Sequence, residues 1–330
     1  MNGSAQDSVR DTANESLTLV YADATKGWLA VEEGTGYVGE QFLTATGGNA
    51  TVTSGDYKVH VFTSPGTFNV TRIGTGDRAK VDYVVIAGGG GGGTGCSGGG
   101  GGAGGYRESY TCAVSGPYTA SPLKATTSLI VTAQGYPVTI GGGGPGAAIN
   151  NENSGCKGSD SVFSTKTSTG GGFGGASSNG AGGSGGSGGG GGHASGAGGS
   201  GNTPPVSPAQ GTNGGTGNSP GGSGPGDTGA GGGGAGGAAL TANNSPVQGG
   251  PGTSTQMVTA TYGVSTPGPA RGFASGGGAG VRDRGDGATP GQGGPNPNSP
   301  PNGGIQGGGG GGGFGPYPAP SGQASGDNGT

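Results

Sequence analysis

The stretch Val81-Asp-Tyr-Val-Val-Ile-Ala-Gly-Gly-Gly-Gly-Gly-Gly93 joins an apolar, β-type segment directly to a run of glycines. The same succession recurs where Tyr136-Pro-Val-Thr-Ile140 runs into residues 141–144, and where Asp160-Ser-Val-Phe-Ser-Thr165 precedes the run that starts at Gly170. A free linker has no reason to alternate with strands in this way. The pattern therefore predicts glycine segments whose starting points are fixed by strands.

Glycine accounts for 96 of the 330 residues and proline for 22, so an ordinary hydrophobic core cannot hold most of this chain together. Collagen is excluded because a strict period of three fails: the register that starts at Gly226 reaches Ala235 after Gly229 and Gly232. Two alternatives are left, a flexible low-complexity linker and a bundle of extended glycine helices.

The alternation with strands favours the bundle. A helix of the polyproline II type has three residues per turn and no internal hydrogen bonds, so neighbouring helices must satisfy its backbone groups. Only glycine lets backbones approach that closely. The sequence thus predicts a lattice of polyglycine helices over about residues 88–105, 141–146, 170–237 and 249–315.

The first part of the chain has a different composition. Leu, Ile, Val and Phe together number 40, of which 20 fall in residues 1–87 and only 10 in residues 170–330. Leu17, Leu19 and Tyr21 alternate with other residues as in a strand. Further strands are predicted at about 57–87, 136–140 and 160–165. We expect two domains, an N-terminal β leader over residues 1–50 and a glycine-rich domain over residues 51–330.

The order of these segments resembles the glycine-rich domain of tailed-phage fibres and related surface proteins. The segments that carry the resemblance, besides the strand that ends at Ala87, are Phe62-Thr-Ser-Pro-Gly-Thr-Phe68, Val138-Thr-Ile-Gly-Gly142 and Gly170-Gly-Gly-Phe-Gly-Gly175. The leader is similar to versions from marine phages and uncultivated viruses. Phage adhesins of the T-even type and the glycine-rich domain of the anaplastic lymphoma kinase receptor are more distant likenesses.

The resemblance implies a mainly β fold, a small antiparallel β-sandwich with an inserted glycine-helix lattice. It implies that the protein is a tail-fibre or adhesin module in the virion that attaches to a host-surface receptor, a glycan or an outer-membrane protein, beside other fibre proteins. A homotrimer is compatible with it. The alternative is a structural or decoration protein of a virion or cell surface. In this family a last apolar strand closes the sandwich, so we also expect the sequence to be a fragment.

Charge and cysteine content exclude other partners. The net charge is −4 with 9% charged residues, so neither nucleic acid nor an anionic membrane has a basic patch to bind, and no apolar stretch is long enough to span a bilayer. Three cysteines, Cys96, Cys112 and Cys156, lack the spacing of a zinc site. We expect thiols, with one disulfide as the alternative. No cofactor or metal is predicted.

Catalytic motifs have little meaning at this glycine density. The sequence Gly95-Cys-Ser-Gly-Gly99 matches a nucleophile elbow but lacks the strand and amphipathic helix that give the motif its function. His60 is expected to face solvent on its strand, and His193 interrupts a glycine run without rigid neighbours to orient it. The sequence therefore predicts that the protein is not an enzyme.

The aromatic and arginine side chains collect in the segments between the glycine runs. Such side chains on loops rich in Gly, Ser and Asn resemble the chemistry of antibody paratopes. The alternative, which applies above all to Tyr106 and Phe273, is that these rings pack at the ends of the glycine segments. The candidate binding residues are Tyr110, Tyr118, Tyr262, Arg271, Phe273, Phe314 and Tyr317.

Overall fold

The computed structural model describes residues 17–23, 27–33, 42–54, 57–95, 97–148, 152–218, 227–242, 248–258, 262–266 and 268–280. The chain divides into two compact units, Met1–Phe42 and Leu43–Thr330. In the first unit, β1 (Leu17–Asp23) and β2 (Gly27–Glu33) form an antiparallel hairpin, which confirms the strand predicted at Leu17. Residues 44–46 pair within the second unit.

The described part of the second unit consists of short strands and almost no helix, so the prediction of a mainly β fold is confirmed. All of its sheets are antiparallel. A 3-10 helix spans Gly76–Ala79, and α1 spans Cys112–Ser115. The strands are β3 (Thr44–Thr46), β4 (Ala50–Ser54), β5 (Tyr57–Val61), β6 (Gly66–Arg72), β7 (Lys80–Val81), β8 (Val84–Ile86), β9 (Tyr106–Glu108), β10 (Leu129–Ile130), β11 (Gly135–Thr139), β12 (Ser161–Phe163), β13 (Lys166–Ser168), β14 (Thr253–Thr255), β15 (Val264–Thr266) and β16 (Gly268–Phe273).

The main hydrophobic core lies on a five-stranded sheet with the order β13-β12-β11-β6-β3. Along β6 the side chains of Phe68 and Val70 are buried while those of Thr67, Asn69 and Thr71 are exposed, which is the period of two expected for a strand with one covered face. Tyr136 of β11 lies opposite Phe68, and the ring of Phe163 meets both in edge-on contacts. The apolar alternation in the sequence therefore located β6, β11 and β12 of this sheet, whereas β3 and β13 were not predicted.

The segment predicted as a single strand over residues 81–87 is two strands. β7 pairs with β10, whereas β8 pairs with β9, and Asp82 and Tyr83 lie between them. The break has a physical cause, because the carboxylate of Asp82 accepts hydrogen bonds from a neighbouring loop instead of pointing into water. A charged residue within an apolar run was the signal for this interruption.

The glycine segments that leave these strands are hydrogen-bonded to one another through their backbones, with a step of three residues. In residues 88–94 two sets of N–H groups donate to two different neighbouring segments, residues 153–159 and residues 99–102. The first set is Gly88, Gly91 and Thr94, at N–O distances of 3.1, 2.9 and 2.9 Å, and the second is Gly90 and Gly93, at 2.9 Å each. The same step occurs between most pairs of neighbouring glycine segments.

Residues 187–193 lie at the centre of this arrangement. Every backbone N–H from residue 187 to residue 193 donates a hydrogen bond to another segment. The six segments that pair with it are residues 97–103, 172–175, 180–183, 196–199, 212–215 and 230–233. A Cβ atom at Gly190 would lie 1.9 Å from the carbonyl oxygen of Ala230, so a side chain has no room here. Lateral backbone hydrogen bonds thus replace a side-chain core in this part of the protein.

Candidate binding surface

Two of the linkers between glycine segments meet around a buried carboxylate, that of Glu108. Glu108 ends β9, is 2% exposed, and accepts four hydrogen bonds. The donors form what we call the Glu108 cluster: the Tyr106 hydroxyl at 2.8 Å, the Tyr118 hydroxyl at 3.2 Å, the Ser121 N–H at 2.9 Å and the Thr255 hydroxyl at 2.7 Å. Because Thr255 belongs to β14, this carboxyl group joins the linker over residues 109–128 to the linker over residues 253–273.

The protonation of this cluster follows from its burial. Burial raises the pKa of the Glu108 carboxyl above its ordinary value, and the four donors offset only part of that effect. Burial, followed by the neighbouring Glu108 charge, also raises the pKa of the phenols of Tyr106 and Tyr118. Both phenols therefore stay protonated and continue to donate their hydrogen bonds to Glu108.

A second carboxylate, that of Asp82, fixes the same linker at its other end. Its two oxygens accept hydrogen bonds from side-chain or backbone groups of four linker residues, Ser109 at 2.8 Å, Thr111 at 2.9 Å, Ser115 at 2.7 Å and Ser128 at 2.7 Å. Three of these donors are serine hydroxyls and the fourth is the Thr111 N–H. Sequence reasoning assigned no role to Asp82 or Glu108, because the donors to Asp82 lie 27 to 46 residues away and one donor to Glu108, Thr255, lies 147 residues away.

The linker held in this way presents two tyrosine rings and a cation, which we call the Tyr110 surface (Tyr110, Tyr118 and Lys124). The rings of Tyr110 and Tyr118 are 4.6 Å apart between centroids and meet at 75°. The Lys124 ammonium lies 5.9 Å from the centre of the Tyr110 ring. All three side chains are partly exposed, and Tyr118 is fixed by its bond to Glu108. The structure thus brings together two of the predicted binding residues.

The candidates in the second linker take part mainly in internal contacts. The Arg271 guanidinium donates from Nε to the Tyr262 carbonyl at 2.9 Å and from Nη2 to the Gly263 carbonyl at 2.7 Å, and so holds a turn. Phe273 is 7% exposed and belongs to a core cluster that also contains Tyr106, as in the packing alternative for these two rings. Phe314 and Tyr317 lie outside the described residues.

The linkers also pair directly. The Thr119 N–H donates to Oε1 of Gln256 at 2.9 Å, and the Gln256 N–H donates to the Thr119 carbonyl at 3.0 Å. This reciprocal pair lies close in sequence to Tyr118 on one side and Thr255 on the other. The Tyr110 surface is therefore supported from both linkers.

The serine and histidine side chains considered for catalysis make hydrogen bonds or ring contacts with neighbouring residues of the fold. Ser97, the serine of the elbow-like sequence, is fully buried and donates to the Asp227 carbonyl at 2.9 Å. His193 does have a fixed neighbour, contrary to expectation, since its Nδ1 lies 3.0 Å from the hydroxyl of the buried Ser177. His60 is half-buried rather than solvent-facing, and its ring meets Phe68 edge-on at 5.3 Å.

Cysteines and potential metal ligands are spread over the described residues. Cys112 and Cys156 are exposed free thiols, and Cys96 lies outside that part of the chain. Within the ranges described above, no three His, Cys, Asp or Glu side chains come together in a way that could hold a metal ion. None of the helices in those ranges has the length and hydrophobicity to cross a bilayer.

Small antiparallel sheets joined to laterally hydrogen-bonded glycine segments define a glycine-rich, mainly β protein. The chain belongs to the glycine-rich domain family, whose family model matches residues 61–330. This range begins in β5 and includes every glycine run described above. No curated protein and no solved structure matches the chain.

Proposed function

We propose that the glycine segments form a hexagonal lattice of polyproline II-type helices inserted in a small β-sandwich. The step of three residues in the hydrogen bonds supports this, because three residues per turn is the repeat of such a helix. The pairing of residues 187–193 with six neighbours is the coordination of a hexagonal lattice. The ring of Phe163, on the five-stranded sheet, lies 6.5 Å from that of Tyr83 beside β8, as expected if two sheets pack face to face.

We further propose that the protein is a display module of the tail-fibre or adhesin type that recognises a host-surface receptor through the Tyr110 surface. In this proposal the lattice supplies a rigid support and the linkers supply contact, without catalysis. Its location would be the virion, with the outside of a cell as the alternative. The receptor would be a glycan or an outer-membrane protein.

The observation that carries the proposal is the anchoring of the Tyr110 surface by two carboxylates, the buried one of Glu108 and the half-buried one of Asp82. Asp82 and Glu108 together accept eight hydrogen bonds, six of them from residues 109–128. A contact surface that is already ordered loses less conformational entropy on binding, and rigid tyrosine rings supply contact area at low entropic cost. A linker that only connects two glycine segments needs no such anchoring.

The test measures binding of the purified chain to whole cells from a panel of bacteria. Tyr110→Ser and Lys124→Gln remove the ring and the cation, and neither side chain is one of the four hydrogen-bond donors to Glu108. We expect each to weaken binding to a responsive strain by about tenfold or more, as for residues at the centre of an interface. The matched control is Leu240→Ser, which removes a side chain that is 78% exposed on a glycine segment outside both linkers.

Two results would contradict the proposal. Equal binding by Tyr110→Ser and Leu240→Ser would show that the receptor contacts another surface. Absence of binding to every strain would favour the alternative, a structural or decoration protein whose lattice provides stiffness only. Thermal unfolding of each variant checks that the substitution has not disturbed the fold.

A further inference from the structure

The two linkers differ from the rest of the chain in their charge. The chain carries 17 acidic and 13 basic residues, but residues 109–128 and 253–273 contain neither Asp nor Glu. The charged side chains of these linkers are Lys124 and Arg271. The Arg271 guanidinium is used within its own linker, where it donates to two carbonyl oxygens. The charge that the linkers offer to a ligand is therefore the Lys124 ammonium, in a chain whose net charge is −4.

Hydrogen bonds of the backbone hold Lys124 beside Tyr110. The Tyr110 N–H donates to the Ala125 carbonyl at 3.0 Å, and the Ala125 N–H donates to the Glu108 carbonyl at 2.8 Å. The Lys124 N–H donates to the Ser121 carbonyl at 3.1 Å, and the Ser121 N–H is itself one of the donors to the Glu108 side chain. The tyrosine ring and the lysine side chain therefore start from positions that are set before a ligand binds.

The side chains of the Tyr110 surface combine an apolar contact with a positive charge. The rings of Tyr110 and Tyr118 meet at 75°, so the pair presents ring faces in two directions. The Lys124 ammonium lies 5.9 Å from the centre of the Tyr110 ring. All three side chains are partly exposed. A ligand that matches this surface has a ring with an apolar face and one negative group beside it.

We propose that the Tyr110 surface binds a sugar ring that carries one carboxylate, as in a uronic acid. The C–H groups on one face of a sugar ring pack against the negative face of a tyrosine ring. The carboxylate accepts a hydrogen bond from the Lys124 ammonium, and such charge-assisted bonds are stronger than those between neutral groups. A single ammonium matches a monoanion, whereas arginine is the side chain whose planar fork matches a phosphate at two points.

This inference rests on the proposed function, because it takes the Tyr110 surface as the surface that contacts the receptor. It also decides between the two classes of receptor. A stable contact between two proteins buries roughly 800 Å² on each partner and involves about 20 residues a side. The rings and the cation that are fixed here belong to three residues, which favours a sugar over a protein.

The experiment titrates the purified full chain with oligosaccharides of galacturonic acid, glucuronic acid and N-acetylneuraminic acid, each in parallel with its methyl ester. The ester has the same sugar ring without the negative charge. We expect the wild type to bind at least one acid about threefold or more tightly than its ester at low salt, and this preference should decrease as salt is added. Amide NMR signals of Tyr110, Lys124 and Ala125 should shift during the titration, and those of residues 187–193 should not.

Two variants separate the contribution of the charge from that of the ring. Lys124→Gln should abolish the preference for the acid while it changes the affinity for the ester by less than about twofold. Tyr110→Ser should weaken the binding of acid and ester by the same factor, because it removes the ring and retains the ammonium. Leu240→Ser is the control and should bind both sugars as the wild type does. Thermal unfolding checks that each variant is folded.

The possible results distinguish this inference from the proposed function. Equal affinities of the wild type for every acid and its ester would overturn the inference, and so would a preference for the acid that survives in Lys124→Gln. If whole cells bind through Tyr110 while no acidic sugar binds, the receptor is a protein, and the proposed function stands without the inference. If an acidic sugar binds at Tyr110 while no strain is bound, the sugar site stands and the proposed function is wrong.

Discussion

Adding a single methyl group at the centre of the glycine arrangement should be far more damaging than adding it at its edge. In Gly190→Ala the new Cβ would lie 1.9 Å from the Ala230 carbonyl oxygen and 2.7 Å from that of Gly231, well below any van der Waals contact. Both obstacles are backbone atoms of a packed segment, and neither can rotate away. The two segments must therefore move apart.

The expected cost has two parts. Overpacking a close-packed interior costs about 1–3 kcal/mol. The displaced Ala230 oxygen also accepts a hydrogen bond from Gly100 at 3.0 Å, and leaving a buried pair of this kind unmade costs about 1–3 kcal/mol more. The free energy of unfolding should therefore fall by about 2–6 kcal/mol, which lowers Tm by at least about 4 °C in a domain of this size.

The matched control is Gly142→Ala, which adds the same methyl group where, apart from its two chain neighbours, no described residue has an atom within 4 Å. The substitution there reduces the entropy of the unfolded chain and should stabilise the protein by about 0.4–1 kcal/mol or leave it unchanged. Urea unfolding followed by circular dichroism measures both variants. A common unfolding free energy for Gly190→Ala and Gly142→Ala would refute the description of the glycine segments as backbones in mutual contact.

Two further predictions concern the linkers. Glu108→Gln should lower the free energy of unfolding by only ~1 kcal/mol or less. The glutamine amide can accept hydrogen bonds from Ser121 and Tyr106 at its oxygen, and it can donate from its nitrogen to the hydroxyls of Thr255 and Tyr118. Glu108→Ala, which leaves these groups without a partner, should lower the free energy of unfolding by at least ~3 kcal/mol. Since burial raises the pKa of Glu108 above the unfolded value of 4.5, the unfolded chain loses this proton first as pH rises. The contribution of Glu108 to the free energy of unfolding should therefore be greatest at pH values below its unfolded pKa of 4.5, and it should decline as pH rises through the pKa that Glu108 has in the folded protein. Urea titrations of Glu108→Gln at a series of pH values should lack that decline. Phe273→Ala should lower the free energy of unfolding by about 3–5 kcal/mol, as for a ring in a core. The control Ile130→Ala, at a side chain that is 70% exposed, should change the free energy of unfolding by less than about 0.5 kcal/mol. Equal losses in the two variants would contradict the packing of Phe273.

The strands with an uninterrupted apolar alternation could be predicted from the sequence. Phe68 and Val70 recur with a period of two, and a local pattern of this kind is enough to mark one buried face. The alternation of strands with glycine runs likewise indicated segments held in place at their starts. The strand predicted over residues 81–87 was wrong at Asp82, where a local apolar pattern competes with hydrogen bonds from a distant loop.

The candidate site was predictable only in part. Aromatic side chains between glycine runs pointed to Tyr110 and Tyr118, which do lie together. No feature of the neighbouring sequence distinguishes Tyr110 and Tyr118 from Phe273, because whether an aromatic ring packs in the core depends on which segments surround it in the fold. Glu108 could not be identified at all, since Thr255, one of its four donors, lies in a different linker.

Composition by itself determined that a side-chain core could not hold most of this chain, because glycine has nothing to bury. The order of apolar residues and glycine runs along the sequence also determined where the strands end and the glycine segments begin. Only the tertiary structure decided which segment lies beside which, since glycines are identical to one another and their pairing depends on connections and lengths far along the chain. The same reason explains the anchoring of the Tyr110 surface: most of the donors to the Asp82 and Glu108 carboxylates are brought within hydrogen-bond distance by the fold and not by the neighbouring sequence.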